Sequence, residues 1–575
     1  MRKIKTILAL VAVVTIIYSC EKDHLDRQPL DQVGSDMFFR TPSDLATYVN
    51  QFYRSTYFPI APEHGLDYDS DLAQDVNVNT WLQGARTLDG AGAIGFGDVR
   101  NINYFFDNYE RLEDEGYDFE DYKQYVGEAH FFKALIYFGL LERYGDIPWL
   151  DKVLSTDSPE LYKPRDPREV VADNIIASLD TAVAYLQEDK TDGSSRINKW
   201  MALLIQSRVA LFEGTWQKYH AGTPFGADNP NPEKYLTKAA AAAYEIMENG
   251  PYSLYSTGDP NSDYYHLFAQ RDYSANEEVM FWKKFDNGLG AGEAPFRRQP
   301  NYMQQFPYEH SISKYLADSY LSSDGDPISV SPLFGGYETY EDEYTNRDPR
   351  FHQTIAVPES VWRISPDGDE ELYSELFALL NTGSMYNSPG AYVIRKGYDA
   401  RVIYHTPQYE ETPGIIYRYG EVLLNYAEAK AELGSITQTD LDQSINLLRD
   451  RVGMPHLILG NITHDPNWDF PDLTPIINEI RRERLVELAL EGFRAMDIKR
   501  WAAADELIVG QRPRGRYAEQ LPINSYPVDE EGFIDAYQNQ IPNGYGFILN
   551  RDYLDPIPKD QIELNPDLTQ NPGWE

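Results

Sequence analysis

The chain has 575 residues, with 51 basic and 91 acidic side chains, so its formal net charge is −40. This acidity argues against nucleic acid as a partner, because phosphate contacts need clustered lysine and arginine, and against electrostatic binding to an anionic membrane. Hydrophobic residues make up 42% of the chain, enough for a sizeable core, so global disorder is not expected. The 43 tyrosines, 25 phenylalanines and 9 tryptophans favour surfaces on which flat rings stack.

The N-terminal residues have the pattern of an export signal. A basic start precedes an apolar run over residues 7–17, which is too short for a membrane-spanning helix of ~20 residues and is typical of a secretory signal peptide. The run ends in a pattern similar to a bacterial lipobox, although Tyr18 stands where a small residue is usual. We therefore expect a signal peptide over residues 1–19, lipidation of Cys20, the only cysteine, and a tether over residues 20–40.

The mature chain shows helical periodicity at both ends of a long irregular region. Apolar residues spaced at three and four predict helices over residues 122–144, 170–186, 199–216 and 232–247, and again over 415–433, 441–452 and 475–500. The first group pairs as helix, short loop and helix, which suggests hairpins of the tetratricopeptide type, although no strict 34-residue repeat is visible.

The region 251–413 is rich in Gly, Pro, Asn, Asp, Ser and Tyr. Short strand-like pieces occur at residues 279–282 and 391–394. A long region without strong helices inside a helical protein usually carries function. We therefore expect a helical scaffold over residues 41–250 and 414–501, a binding region over 251–413, and a loop region over 502–575.

Blocks of residues spread along the whole chain resemble the SusD/RagB family of Bacteroidetes nutrient-uptake lipoproteins. No single block is decisive, but their order is specific. They include Gly127-Glu128-Ala129, Tyr144-Gly145-Asp146-Ile147-Pro148, Arg347-Asp348-Pro349-Arg350, Tyr426-Ala427-Glu428-Ala429, Glu487-Leu488-Ala489-Leu490-Glu491-Gly492-Phe493-Arg494 and Tyr553-Leu554-Asp555-Pro556.

The resemblance implies a mainly α fold: a single domain over residues 41–575, with a tetratricopeptide-like scaffold, long ligand-binding loops and a few short strands. It also implies a non-catalytic protein that captures oligosaccharides, or sometimes peptides, for a SusC-type TonB-dependent outer-membrane barrel. The acidic Glu21-Lys22-Asp23 resembles the signal that sends lipoproteins of these bacteria to the cell surface.

Two acidic patterns bear on catalysis and metal binding. Glu483, Glu487 and Glu491 are spaced at i, i+4 among arginines, which favours an ion-pair network over the acid and base of a glycosidase, because neighbouring arginines lower carboxyl pKa values. The run 67–71 matches the first acidic positions of a calcium loop, but Leu72 stands where the turning glycine is needed. We expect no cofactor, and structural calcium of another geometry stays open.

Sugar binding needs exposed aromatic planes beside groups that bind hydroxyls. Trp81 and Asn79 lie in a polar loop, a position from which family members commonly supply an aromatic ring; the alternative is simple anchoring of that loop. Trp282 lies on a strand-like piece, where core packing is the alternative. Arg298 and Tyr302 belong to an aromatic and basic loop in the region that the family uses for binding. Trp362 and Trp468 are weaker candidates because isolated exposed aromatics are common.

Four functions remain open from the sequence. The first is glycan capture at the outer membrane, and the second is the same fold with a peptide ligand. The third is a surface glycoside hydrolase, and the fourth is a purely structural lid of the barrel. The sequence does not name the glycan, since linkage specificity depends on loop curvature.

Overall fold

The computed structural model describes residues 38–54, 56–58, 67–90, 92, 94–189, 196–286, 288, 310–378, 388–405, 411 and 413–574. Within these residues the chain is helix-rich, with a few short strands, as the sequence predicts. None of the described helices is both long and apolar enough to cross a membrane.

The N-terminal half is built from helices that pack against one another in chain order. α4 packs on α5, α5 on α6 and α6 on α7, which is the arrangement expected of tetratricopeptide-like hairpins. The helices are α1 (Pro42–Asn50), α2 (Phe96–Phe106), α3 (Arg111–Asp114), α4 (Lys123–Tyr144), α5 (Arg168–Tyr185), α6 (Lys199–Tyr219) and α7 (Pro232–Asn249).

Local sequence explains where α6 and α7 begin and why they lie so close. The Asn198 side chain accepts hydrogen bonds from the first turn of α6, and Asn231 does the same before Pro232 at the start of α7. A Cβ on Gly214 of α6 would lie 2.8 Å from Cγ of Leu236 on α7. Glycine at this position therefore allows the two helices to approach.

Shorter elements make up the rest of the chain. The helices are α8 (Asp263–Phe268), α9 (Lys314–Ser319), α10 (Tyr340–Tyr344), α11 (Arg350–Thr354), α12 (Tyr373–Phe377), α13 (Tyr419–Glu432), α14 (Gln438–Asp442), α15 (Ile445–Arg451), α16 (Pro475–Glu487), α17 (Arg494–Arg500), α18 (Ala504–Leu507) and α19 (Lys559–Leu564). The strands are β1 (Ala73–Asp75), β2 (Val279–Lys283), β3 (His310–Ile312), β4 (Val361–Ile364), β5 (Glu370–Leu372) and β6 (Gly414–Arg418).

The strands form small antiparallel pairs that tie distant parts of the chain together. β1 pairs with β3, β2 with β6, and β4 with β5. Tyr417 in β6 lies opposite Phe281 in β2, so the loop-rich region is joined directly to the start of α13. α13 then packs against α6, α7 and α16, and the largest apolar cluster includes Phe132, Leu204 and Leu423.

Four predicted elements differ from the structure. The helix predicted over 475–500 ends at Glu487 and restarts at Arg494, because Leu490 and Gly492 adopt positive φ angles of 64° and 79°. The helix predicted over 441–452 is split between α14 and α15. The start of the 415–433 segment is strand β6, and residues 391–394 form isolated bridges instead of a strand.

A buried cluster of ion pairs joins the loop-rich region to the scaffold. It comprises Glu278, Asp348, Arg350, Lys396, Arg418, Arg449, Arg451, Glu483, Glu487 and Glu491. Burial alone would raise the pKa of Glu487, but Arg451, Arg418 and Arg350 outweigh it and hold that pKa well below its usual range. The predicted ion-pair role of these glutamates is confirmed, although their main partners come from other segments than the neighbouring arginines.

Candidate functional site

A polar cleft lies between α9, α16 and the C-terminal region. It consists of two adjoining cavities of about 420 Å³ and 560 Å³ that share Lys314, Tyr315, Asp318 and Asp469. Both volumes fall in the range of small-molecule sites, ~300–1,000 Å³. The first cavity is flanked by residues 327–337 and 465–470, and the second by residues 506–514.

Half-buried aromatic rings line the first cavity, among them Trp468, Phe334 and Tyr337. Neighbours hold two of them in place. Trp468 Nε1 donates a hydrogen bond of 3.1 Å to Glu479 Oε1, and the Tyr337 ring meets Phe533 edge-on with centroids 5.1 Å apart. Rings that are fixed yet partly exposed provide flat apolar surface at low entropic cost, which suits the C–H face of a sugar ring.

The floor shared by the two cavities is a chain of hydrogen bonds. The Tyr315 hydroxyl donates to Asp469 Oδ2 at 2.7 Å and accepts from Arg494 Nη2 at 2.9 Å. Arg494 in turn holds both carboxylate oxygens of Asp71, at 2.8 and 2.7 Å. Burial raises the pKa of Asp469, and the charge of Arg494 opposes this only in part. Asp469 is thus a fixed acceptor in a partly desolvated position.

Lys314 lies where the two cavities meet. Its ammonium contacts the Asp318 carboxylate and donates to the Tyr337 hydroxyl at 2.9 Å. It also lies 4.2 Å from the ring centroid of Tyr337 and 4.5 Å from that of Phe533, within the range of cation–π contacts. The Tyr337 hydroxyl donates to Asp318 at 3.0 Å, so this corner of the cleft is fully connected.

A second cleft, the apolar groove, lies between α2, residues 147–165 and α19. Its volume is about 540 Å³, and its walls include Val99, Leu150 and Leu154. Leu161 and Tyr162 at its edge are 43% and 57% exposed. Because its lining surface is mainly apolar, the groove suits a sugar less well than the polar cleft does.

The structure places Trp81 and Asn79 in a packed loop. Trp81 is only 8% exposed; its Nε1 donates to the carbonyl of Asp552 at 2.8 Å, and its ring meets Phe547 edge-on. Asn79 Oδ1 accepts from the backbone N–H groups of Trp81 and Leu82, at 2.8 and 3.3 Å. Both side chains therefore anchor the loop, and the open stacking face that sugar binding requires is not present at Trp81.

Trp282 is also 8% exposed, on β2, and packs edge-on against Tyr273. Trp362 is equally buried and stacks on Tyr398. Arg298 and Tyr302 lie outside the described residues. The described residues thus bring only Asn79 and Trp81 together, and a binding role for the five predicted residues stays a prediction.

Trp468 was a weaker candidate for sugar binding from the sequence, and the structure places it in the polar cleft. It stands in Asp465-Pro466-Asn467-Trp468-Asp469, a polar loop before α16, just as Trp81 stands in a polar loop before α2. The polar loop around the ring is the same kind of local pattern at both tryptophans. Composition alone does not show which of the two rings other parts of the chain will cover. No local sequence pattern pointed to Phe334, Tyr337 or Asp318 as site residues.

The acidic run 67–71 is used for packing. Asp71 pairs with Arg494, and the Asp67 carboxylate accepts backbone N–H groups of Gly492 and Arg494 at 3.4 and 3.3 Å. In the part of the chain that the structure covers, no group of three or more His, Cys, Asp or Glu side chains is arranged to hold a metal ion.

Comparison with curated proteins finds relatives over most of the chain. SusD-like protein P2 of Formosa agariphila is 24% identical in an alignment 569 residues long that covers 96% of each chain. SusD-like protein P38 of the same organism is 22% identical over 386 residues, 67% of this chain and 68% of that protein.

Solved structures share the fold. A SusD-like protein of Bacteroides fragilis matches with a TM-score of 0.69 at 21% identity, covering 95% of this chain and all of that one. A second protein of that organism, described as a SusD-like carbohydrate binding protein, matches with a TM-score of 0.68 at 22% identity over 92% of this chain and all of its own. The sequence profile of the SusD family matches residues 249–574, more than half of the chain, so this chain belongs to the SusD family.

Proposed function

We propose that this protein is a non-catalytic lipoprotein of the outer membrane that captures oligosaccharides at the cell surface. In this proposal it passes them to a SusC-type TonB-dependent barrel. The polar cleft carries the proposal, because it combines the partly exposed rings of Trp468, Phe334 and Tyr337 with fixed acceptors such as Asp469. Rings that pack on sugar C–H faces and acceptors that bind hydroxyls are the two elements that glycan recognition needs.

Two further observations support the proposal. A protein of the same fold is described as carbohydrate binding, and this chain belongs to the SusD family. Cys20 follows the signal-like segment directly, and two or more acyl chains there would give stable anchoring, since each buried CH₂ contributes ~0.8 kcal/mol. Delivery to a barrel is the expected role of the family.

The absence of catalysis needs its own test. Arginines hold Glu483 and Glu487 in the buried ion cluster, which leaves neither free as an acid or base. Burial does raise the pKa of Asp469 in the polar cleft, and a raised pKa is a property of a glycosidase's general acid. Prolonged incubation with each polysaccharide and a reducing-sugar assay therefore accompany the binding measurements, and we expect no release of reducing ends.

The binding test is calorimetry on residues 21–575, produced without the lipid, with a panel of plant, microbial and host glycans and a set of peptides. We expect one glycan class to bind. Trp468→Ala should then weaken binding roughly 5- to 150-fold, which corresponds to ~1–3 kcal/mol by analogy with base stacking.

The matched control is Tyr162→Ala, because Tyr162 is an exposed aromatic on the apolar groove and not in the polar cleft. It should leave glycan affinity unchanged. Equal effects of both variants, or none from Trp468→Ala, would move the site away from the polar cleft, with the loop of Arg298 and Tyr302 as the next place to test. Binding of peptides alone would favour the peptide-uptake alternative, and no binding at all would favour a structural lid.

A further inference from the structure

The cations that line the polar cleft are all engaged by carboxylates. Within the first cavity Arg494 pairs with Asp71 at 2.7 Å, and Arg482 pairs with Asp465 and, at 3.1 Å, with Glu479. The remaining arginine there, Arg481, lies 3.3 Å from Glu432. Lys314 pairs with Asp318 where the cavities meet.

The second cavity shows the same pairing at its more open edge. Arg512 lies 2.8 Å from Asp535, and Arg514 lies 2.8 Å from Asp529 and 3.0 Å from Glu531. The side chains of Arg512 and Arg514 are 28% and 42% exposed, so they are the cations that an incoming ligand reaches most easily. Both already have a carboxylate partner in place.

Carboxyl groups without such a partner are present in the same cleft. Among the described residues no ion pair joins Asp469 or Glu506 to a cation; Asp469 accepts a hydrogen bond from Tyr315 only. Burial raises the pKa of Asp469, and burial followed by the neighbouring Asp505 raises the pKa of Glu506 to about 7. Because burial is the main cause of both shifts, a further charged group placed beside these carboxyls would lose solvation as well.

An acidic ligand would therefore meet unpaired carboxyl groups and no uncommitted cation. It would have to break an existing ion pair to gain an arginine, and the chain as a whole carries a net charge of −40. Hydroxyl groups face no such obstacle, since a hydroxyl can donate a hydrogen bond to a carboxylate and can accept one from a protonated carboxyl group.

From this arrangement, and building on the proposed glycan-binding function, we infer that the polar cleft takes a neutral glycan, one without sulfate or carboxylate groups on the sugar units that it holds. The cleft then discriminates against acidic polysaccharides because its cations are already paired. The aromatic rings of Trp468, Phe334 and Tyr337 contribute contacts that do not depend on the charge of the sugar.

The test uses matched pairs of polymers that share one backbone. Suitable pairs are fully methyl-esterified and de-esterified homogalacturonan, or a chemically desulfated and a native sulfated galactan, beside neutral glucans, xylans and mannans. We expect a neutral polymer to bind, with affinity that changes less than about twofold between about 50 and about 500 mM NaCl. In any pair that binds, the neutral member should bind at least about tenfold more tightly.

The outcomes separate the inference from the function on which it rests. Tighter binding of the charged member, with affinity falling steeply as salt rises, would overturn the inference and leave glycan capture standing. Binding of neither member, and of no neutral polymer in the panel, would overturn the proposed function and the inference together.

A second measurement tests the paired charges directly. Asp318→Asn removes the carboxylate that neutralises Lys314, so we expect a gain of at least about threefold in salt-sensitive affinity for the sulfated polymer. The control is Asp151→Asn, which likewise releases a lysine, Lys133, whose partner is 2.8 Å away and outside the polar cleft. A gain in Asp318→Asn alone supports the inference; no gain in Asp318→Asn, or an equal gain in both, contradicts it. Thermal melting confirms that both variants are folded.

Discussion

Glu487 is the centre of the buried ion cluster, and its replacement gives the sharpest test of how the fold is held together. Its carboxylate is fully buried and contacts three guanidinium groups: Arg451 at 2.6 Å, Arg418 at 2.7 Å and Arg350 at 3.0 Å. Glu487→Gln keeps the volume but leaves these three charges with one fewer carboxylate. Removing one partner of a buried ion pair typically costs ~3–5 kcal/mol, and we expect the free energy of unfolding to fall by that amount.

The assay is urea unfolding of the wild type and the variant, compared at equal m-values. The matched control is Glu563→Gln, because Glu563 pairs with Lys559 at 3.9 Å on the surface, where the two side chains are 69% and 75% exposed. Exposed pairs contribute ~0–1 kcal/mol, so this variant should unfold like the wild type. A loss below about 1 kcal/mol in Glu487→Gln would refute the reasoning that the cluster depends on this charge.

The same variant should change how stability depends on pH. The folded-state pKa of Glu487 is depressed below its ordinary value of 4.5, so the stability that it contributes is present above that value and is lost as pH falls through the folded pKa. Glutamine cannot titrate. The difference in unfolding free energy between wild type and Glu487→Gln should therefore be largest near neutral pH and shrink in acid. A difference that grows as pH falls would contradict this assignment.

The remaining predictions concern packing. Gly214→Ala should lower the free energy of unfolding by ~1–3 kcal/mol, because the new methyl group would lie 2.8 Å from Cγ and 3.1 Å from the backbone nitrogen of Leu236; an unchanged urea midpoint would show that α6 and α7 can separate freely. Trp81→Ala should cost ~3–5 kcal/mol as a buried large-to-small change. If Trp81 only anchors its loop, the folded variant keeps its glycan affinity; full stability with lost affinity would confirm the predicted binding role of Trp81.

The sequence predicted the helical scaffold well because periodicity and caps are local. α4 over Lys123–Tyr144 and α7 over Pro232–Asn249 agree with their predicted ranges to within a few residues. The helix predicted over residues 475–500 is interrupted instead where Leu490 and Gly492 adopt positive φ angles, and Glu491 between them pairs with Arg418 and Lys396. These partners lie more than seventy residues away in sequence, and local spacing does not reveal them.

Site residues were harder to predict for the same reason. Trp81 and Trp468 stand in similar polar loops, and only the packing of the C-terminal segment distinguishes them: Asp552 and Phe547 cover Trp81, whereas Trp468 is left half-buried at a cavity. The polar cleft itself draws on segments from near residue 71 to residue 545. No contiguous motif marks it.

One helix connects the ion cluster with the polar cleft. Arg481, Arg482 and Leu485 of α16 line the cleft, spaced so that they share one face of the helix, and Glu479 on the same helix holds Trp468. Glu483 and Glu487 belong to the buried ion cluster. Charges that do not line the cleft therefore hold the helix that forms one of its walls. Buried ion pairs are weak evidence for stability by themselves, and here they also fix the position of one wall of the cleft. They set the position of α16 and, through it, the spacing between an aromatic ring and the acceptors around it.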